Sequence, residues 1–193
     1  MVRSHAVPWL RVAGNELVPA TFQSILYAFD HPGAAVHLPK SDGLPWPLNS
    51  ASAAILAAWI NPETPVWTDL DWDSEPAAWL QEAYGGCLVT EPCMAMVALI
   101  VEPLRMPSLK RFHIGEDDRP EVSARLILQV DGFSAARAGH RGLPGGRRRL
   151  PVAPSGLPRR FWSEWNDQRR LFPLGVDVLF TCADTMVALP RGL

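Results

Sequence analysis

The sequence lacks an apolar run long enough to cross a membrane. Its longest run, Met94–Val101, has eight residues, whereas a membrane-spanning helix needs about 20. The sequence also lacks an excess of either charge, because its formal net charge is −2. Such a chain has no general attraction to nucleic acid or to anionic lipid. These absences predict a protein that neither enters a membrane nor binds nucleic acid.

Cysteine is scarce as well. The three cysteines, Cys87, Cys93 and Cys182, are odd in number and lack the paired spacing of a zinc site. This pattern predicts reduced thiols, no metal site and a cytoplasmic location. Near the N-terminus, Pro8, Asn15 and Glu16 interrupt any apolar core, so no secretory signal is expected.

The composition is typical of a globular protein, with 48% hydrophobic and 20% charged residues. A chain of 193 residues forms a single core and buries about 70% of its unfolded surface. Residues 1–18 show no hydrophobic period and are predicted to form an N-terminal arm. Residues 19–193 are predicted to form a single α/β domain.

Helix and strand patterns alternate along the domain. The first helix is expected to begin near Pro19, with Phe22, Ile25, Leu26 and Phe29 forming one apolar stripe. Further helices are predicted from Asn49 or Ser50, from Ser74 and from Pro158, and strands at 34–38, 65–68, 87–89, 94–101 and 124–130. This alternation predicts a mixed β-sheet with helices on both faces.

The C-terminal residues carry the clearest pattern. Two β-rich runs, Val176–Thr181 and Thr185–Leu189, flank a turn at 182–184, which predicts a hairpin. Apolar residues occupy both faces of the first run, so we expect layers to cover the strand on both sides. Asp177 is the exception. Its burial requires a partner, and Arg191 is the candidate.

Five segments in register resemble one known family. They are Phe172–Asp177 with Pro190 and Arg191, Phe22–Gly33, Pro47–Asn49, Thr64–Trp67 and Leu126–Val130. Together they resemble the H subunit of the carbon–phosphorus lyase complex, the PhnH family of bacterial phosphonate breakdown.

The resemblance implies a fold similar to that of pyridoxal-phosphate-dependent transferases, but used without the cofactor. It also implies a non-catalytic subunit of a cytoplasmic complex that transfers an alkylphosphonate onto the ribose of ATP. Such a subunit joins the other carbon–phosphorus lyase subunits and forms a homodimer in isolation. Trp72 and Trp79 are candidates for exposed interface residues.

Three residues are candidates for binding a small ligand, namely Asn49, Asp177 and Arg191. A pair such as Asp177 and Arg191 is either structural or part of a ligand site. No histidine, carboxylate and nucleophile set accompanies it, so no catalytic residue is predicted. The alternative function is a stand-alone enzyme that binds a phosphonate or a nucleotide, or a divergent paralogue of the family.

Arginines crowd the stretch that precedes the last helix. The cluster contains Arg137, Arg141, Arg147, Arg148, Arg149, Arg159 and Arg160. Guanidinium groups match phosphate and carboxylate oxygens, so Arg147, Arg148 and Arg149 are candidates for docking a partner or binding an anion. A solvated basic loop is the other interpretation. A nucleic-acid site is disfavoured, because no recognition motif accompanies the arginines.

Overall fold

The structure, a computed structural model, describes residues 17–85, 87–135 and 152–193. In these ranges the helices are α1 (Leu17–Asp30), α2 (Ser50–Trp59), α3 (Glu75–Tyr84) and α4 (Phe161–Arg169). The strands are β1 (Ala35–His37), β2 (Pro65–Thr68), β3 (Cys87–Leu88), β4 (Val97–Ile100), β5 (Arg125–Gln129), β6 (Gly132–Ala135), β7 (Val152–Ser155), β8 (Asp177–Cys182) and β9 (Thr185–Leu189). None of these helices is both long and apolar enough to span a membrane.

Seven strands form one mixed sheet in the order β1-β9-β8-β5-β4-β2-β3. Strands β3, β2, β4, β5 and β8 run parallel, whereas β9 is antiparallel to β8 and β1 is antiparallel to β9. Strands β6 and β7 form a separate antiparallel pair. The predicted mixed α/β sheet and its C-terminal hairpin are therefore confirmed.

Both faces of the sheet are covered. One apolar cluster joins α1, α2 and α3 to one face and includes Leu179 of β8 and Met186 of β9. A second cluster joins α4 to the opposite face and includes Val178, Phe180 and Val187. The side chains of β8 alternate between the two clusters, as the period of a strand requires. The prediction that layers cover this strand on both sides is confirmed.

Local capping follows the sequence signals. The side chain of Asn49 accepts a hydrogen bond from the N–H of Ser52 and begins α2, and Ser74 does the same for α3 through Ala77. Gly85 ends α3 in the left-handed region at φ 62°, where glycine has no steric cost. Of the two predicted caps of α2, Asn49 and Ser50, the structure has Asn49, and the predicted cap at Ser74 is confirmed.

The predicted apolar stripe of α1 is wrong in its orientation. The buried side consists of Thr21, Ile25 and Ala28, whereas Phe22 and Leu26 are 46% and 51% exposed. The helix has no charged residue before Asp30, so apolar residues occur around most of its circumference. Periodicity alone therefore does not fix which side meets the sheet.

Three other expectations change. Helix α1 begins at Leu17, inside the predicted arm, and residues 1–16 lie outside the described ranges.

Trp79 is not exposed. It packs in the core edge-on against Tyr84, whereas Trp72 is half exposed. The strand β6 was not predicted, because Gly132–Ala135 is only four residues long, begins with glycine and depends on pairing with β7.

Truncating Leu179 to alanine should destabilise the protein by about 2–5 kcal/mol, because this side chain is fully buried and its removal leaves a cavity. Urea denaturation followed by circular dichroism measures the change. Leu104→Ala is the matched control, since Leu104 is largely exposed and its truncation should change stability by less than about 0.5 kcal/mol. Equal stability of the two variants would contradict the buried position of β8.

Candidate functional site

The parallel strands place the usual ligand position of an α/β sheet between β2 and β4. The neighbours of β2 are β3 on one side and β4 on the other, so the chain reverses its direction of winding there. In open α/β sheets, ligands bind outside the carboxyl ends of the strands at such a point. The residues that follow β2 and β4 are therefore the first place to look for a site.

Asp69 occupies this position. Its Oδ1 accepts a hydrogen bond from the N–H of Val101 at 2.8 Å, and its Oδ2 accepts one from the N–H of Glu102 at 2.9 Å. Burial raises the pKa of Asp69, and the neighbouring Glu102 raises it further, while these two N–H groups lower it without cancelling the effect of burial. The backbone donors that a ligand would use here are already bonded to the protein.

The polar side chains at the adjacent carboxyl ends of β5 and β8 also bond within the protein. The Oε1 of Gln129 accepts from the N–H of Asn49 at 2.8 Å, and its Nε2 donates to the carbonyl of Pro47 at 2.8 Å. The Nδ2 of Asn49 donates to Thr181, whose Oγ1 lies 2.8 Å from that of Ser52. These contacts tie the start of α2 to the middle of the sheet.

The N-terminus of α2 is not open to an anion either. The N–H of Ala51 donates to the carbonyl of Ala183, the N–H of Ser52 to the side chain of Asn49, and the N–H of Ala53 to the carbonyl of Asn49. A phosphate site at a helix end depends on free N–H groups. At the carboxyl edge of the sheet, these hydrogen bonds thus hold α2 against β5, β8 and the hairpin turn.

The opposite, amino edge of the sheet carries the predicted ion pair. The Nη2 of Arg191 lies 2.7 Å from Oδ2 of Asp177, and its Nε lies 3.2 Å from the same oxygen. The N–H of Arg191 also donates to Oδ1 of Asp177 at 2.9 Å, and Nη1 donates to the carbonyl of Pro120 at 2.6 Å. The predicted partnership is confirmed, and it fastens the C-terminal hairpin to the loop around Pro120.

The three predicted ligand residues do not meet in one pocket. Asn49 contacts Thr181 near the carboxyl end of β8, whereas Asp177 begins that strand. Four residues of strand separate the two positions by about 13 Å. A ligand role for Asn49, or for Asp177 and Arg191, stays a prediction.

An open recess of about 250 Å³ lies at the amino edge of the sheet. It is lined by Cys93, Met94, Ala95, Met96, His113, Glu116, Arg119 and Val122. Sequence reasoning missed it, because its walls come from two segments about 20 residues apart and contain no known motif. Within the described ranges no group of three His, Cys, Asp or Glu side chains is arranged to hold a metal ion. Arg147, Arg148 and Arg149 lie outside those ranges.

Comparison with known proteins decides the family. A family model described as "Bacterial phosphonate metabolism protein (PhnH)" matches residues 16–193. The chain belongs to the PhnH family. The resemblance drawn from the five segments is therefore confirmed, and the PhnH match covers every element described above.

One curated PhnH protein is similar to this chain over most of its length. It is the alpha-D-ribose 1-methylphosphonate 5-triphosphate synthase subunit PhnH of Rhizobium meliloti (strain 1021). The two are 27% identical over 174 residues, which cover 89% of this chain and 86% of the relative.

Replacing Arg191 with methionine should destabilise this PhnH chain by about 1–3 kcal/mol, because it leaves the half-buried Asp177 carboxylate with only a backbone donor. Urea denaturation measures the loss. Arg105→Met is the control. Its ion pair with Glu102 is exposed and should contribute less than about 1 kcal/mol. A neutral Arg191→Met variant would show that the pair does not hold the hairpin.

Asp69→Asn should destabilise the protein by about 1–3 kcal/mol at pH 7, because one amide oxygen replaces two carboxylate acceptors. The raised pKa of Asp69 means that the folded state binds this proton more readily than the unfolded state. The difference in free energy of unfolding between the wild type and Asp69→Asn should therefore shift in favour of the wild type as the pH falls. The shift should occur between the raised pKa of the folded state and the ordinary pKa of an aspartate. Urea titrations between pH 7 and pH 4 test the sign, and a difference that shrinks with falling pH contradicts it.

Proposed function

We propose that this chain is a non-catalytic subunit of the carbon–phosphorus lyase core complex. In this role it supports the transfer of an alkylphosphonate onto the ribose of ATP during phosphonate breakdown. The observation that carries the proposal is the family match over residues 16–193. The relative in Rhizobium meliloti, named as a synthase subunit, supports the same assignment.

The hydrogen bonding at the edges of the sheet supports a non-catalytic role. The carboxyl edge, where an α/β enzyme binds its substrate, has its backbone donors bonded to Asp69, Asn49 and Ala183. The guanidinium of Arg191 is likewise shared between Asp177 and Pro120. These groups stabilise the fold, and binding a substrate phosphate would require breaking those bonds.

The proposed fold is similar to that of pyridoxal-phosphate-dependent transferases, and the proposal includes function without that cofactor. Pyridoxal phosphate needs a lysine to form its Schiff base. The two lysines of the sequence, Lys40 and Lys110, have side chains that are 79% and 69% exposed, and they lie near Asp184 and Asp167. Neither stands in an enclosed pocket, so the residues do not fit the cofactor.

The proposal places the protein in the cytoplasm, as a homodimer in isolation and bound to the other subunits in the complex. The predicted docking role of Arg147, Arg148 and Arg149 belongs to this proposal. Neither nucleic acid nor a membrane is a proposed partner, in keeping with the net charge of −2.

Co-expression with the other subunits of the synthase tests the assignment. An affinity-tagged form of this chain should retain those subunits in a fixed ratio through size-exclusion chromatography, and the complex formed without it should lose synthase activity. An untagged chain expressed in the same way is the control for non-specific retention. Elution of the tagged chain alone, from cells that make every other subunit, would refute the proposal.

The alternative of a stand-alone phosphonate or nucleotide enzyme has its own outcome. A ligand at 100 times its Kd adds roughly 2.7 kcal/mol to the free energy of unfolding. We expect neither methylphosphonate nor ATP to raise the Tm of the isolated chain, because Asp69, Asn49 and Arg191 already bond to other groups of the protein. Stabilisation together with turnover by the isolated chain would establish the alternative instead.

A further inference from the structure

Positive charge is concentrated around α4. Two segments contribute to it, residues 103–111, which follow β4, and residues 158–170, which contain α4. The rest of the chain holds 11 of the 18 basic residues and 18 of the 20 acidic residues. We call these two segments the basic face, and their charged residues are seven cations, Arg105, Lys110, Arg111, Arg159, Arg160, Arg169 and Arg170, and two carboxylates, Glu164 and Asp167.

Contacts between the two segments hold the cations together. The Oε2 of Glu164 accepts a hydrogen bond from the N–H of Leu109 at 2.8 Å, and Arg160 donates to the carbonyl of Met106. Residues 160 and 164 lie one helical turn apart, so the 103–111 segment packs along one side of α4. The charges of both segments therefore belong to one continuous surface.

The two carboxylates of the basic face leave most of its charge in place. Glu164 is largely buried, with a side chain that is 15% exposed, and pairs with Arg160 at 3.3 Å. Asp167 lies 3.9 Å from Lys110 and 4.0 Å from Arg170. Each carboxylate carries one negative charge, so the two together offset only two of the seven cations.

Carboxylates outside the basic face contribute little more. Arg105 pairs with Glu102, and Arg111 pairs with Glu91, and all four side chains are more than half exposed. Exposed pairs of this kind are weak and are screened by salt. Arg159 is exposed and forms no ion pair with any residue that the structure describes. These cations therefore stay accessible to a partner.

The stability of α4 does not explain its first arginines. Arg160 occupies the N-cap without a side-chain hydrogen bond to the helix, where serine or aspartate would stabilise the helix. Cations at this end also oppose the helix macrodipole. Arg160 at least contacts Glu164 and Met106, whereas Arg159 has no comparable contact. A role in binding explains the position of Arg159 better than folding does.

The residue types favour carboxylates as the binding partner. Six of the seven cations are arginines. A guanidinium group binds a carboxylate through two parallel hydrogen bonds, which an ammonium group cannot do. Arginine is also enriched at protein interfaces, whereas lysine is depleted there. An acidic patch of Asp and Glu side chains on another protein matches this composition.

Two other occupants fit less well. A twofold dimer through the basic face would bring seven cations against seven, because such a contact uses the same surface on both copies. A nucleic acid would extend beyond the face, because the nine residues of α4 span only about 14 Å. Outside that length the phosphates would meet the acidic remainder of the protein.

We propose that the basic face docks on an acidic patch of another subunit of the complex. The inference rests on the proposed function, since it requires that such a subunit be bound. It assigns a docking contact to α4 and residues 103–111, in addition to the predicted docking role of Arg147, Arg148 and Arg149.

Reversal of two exposed charges tests the proposal. The double variant Arg159→Glu, Arg170→Glu should bind the assembled other subunits at least about tenfold more weakly than the wild type at about 0.1 M NaCl, mainly through slower association. Biolayer interferometry measures both rates. The difference between variant and wild type should shrink as the salt concentration rises, because salt screens exposed charges.

The matched control changes the net charge by the same amount elsewhere. Lys40 lies near Asp184 at the hairpin turn, and Arg125 lies over the ring of Trp59 at the end of α2. The double variant Lys40→Glu, Arg125→Glu should bind within about twofold of the wild type, because only exposed charges outside the interface change. Circular dichroism and the urea midpoint establish that both double variants are folded.

Four outcomes overturn the proposal. If the wild type binds and the folded Arg159→Glu, Arg170→Glu variant binds equally well, the docking contact is elsewhere and the subunit assignment stands. If both double variants bind equally weakly, net charge and not this face sets the affinity. If the wild type binds none of the other subunits, the proposed function and this inference both fail. If the isolated wild type instead self-associates or binds an oligonucleotide, and the arginine variant does not, the occupant is a second copy or a nucleic acid.

Discussion

The fold depends on burying the β8–β9 hairpin from both sides. Strand β8 lies between β5 and β9, and its side chains alternate between two separate apolar clusters. The helices on the two faces therefore pack into separate apolar clusters, and the strands of the sheet lie between them. The Asp177–Arg191 pair closes the amino end of the hairpin, while Asn49 and Gln129 hold the carboxyl end of β8 and its neighbour β5 against α2.

The two edges of the sheet differ in what they leave accessible. At the carboxyl edge the polar groups bond to one another, so the place that most α/β enzymes use for substrate is used here to join α2, β5 and β8. At the amino edge the polar groups bond around a recess whose apolar lining stays exposed.

Much of this architecture could be predicted from the sequence, because its signals are local. The caps at Asn49 and Ser74, the hairpin around residue 183 and the apolar strand β5 follow from short patterns that tertiary contacts do not override. The ion pair of Asp177 was also predictable, since a carboxylate in a buried strand requires a partner and Arg191 directly follows the hairpin.

The remaining features depend on contacts between distant segments. The orientation of α1 was predicted wrongly, because a helix without charged residues before Asp30 gives no sign of which side faces water. The bonds between Asn49 and Gln129 join residues 80 positions apart, and the recess joins two loops that share no motif. Asn49, whose residue type also fits a ligand site, makes hydrogen bonds to Ser52 and Thr181 within the fold.

The ends of the seven-stranded sheet have a consequence for assembly. The outermost strands, β1 and β3, have only three and two residues, so each offers very few free backbone groups to an incoming chain. Very short outer strands protect a sheet against unwanted growth, and they also deny a partner the option of adding a strand of its own. At the seven-stranded sheet, recognition of a partner therefore depends on the side chains of the surrounding loops and helices, whose sequence can differ while the sheet stays the same.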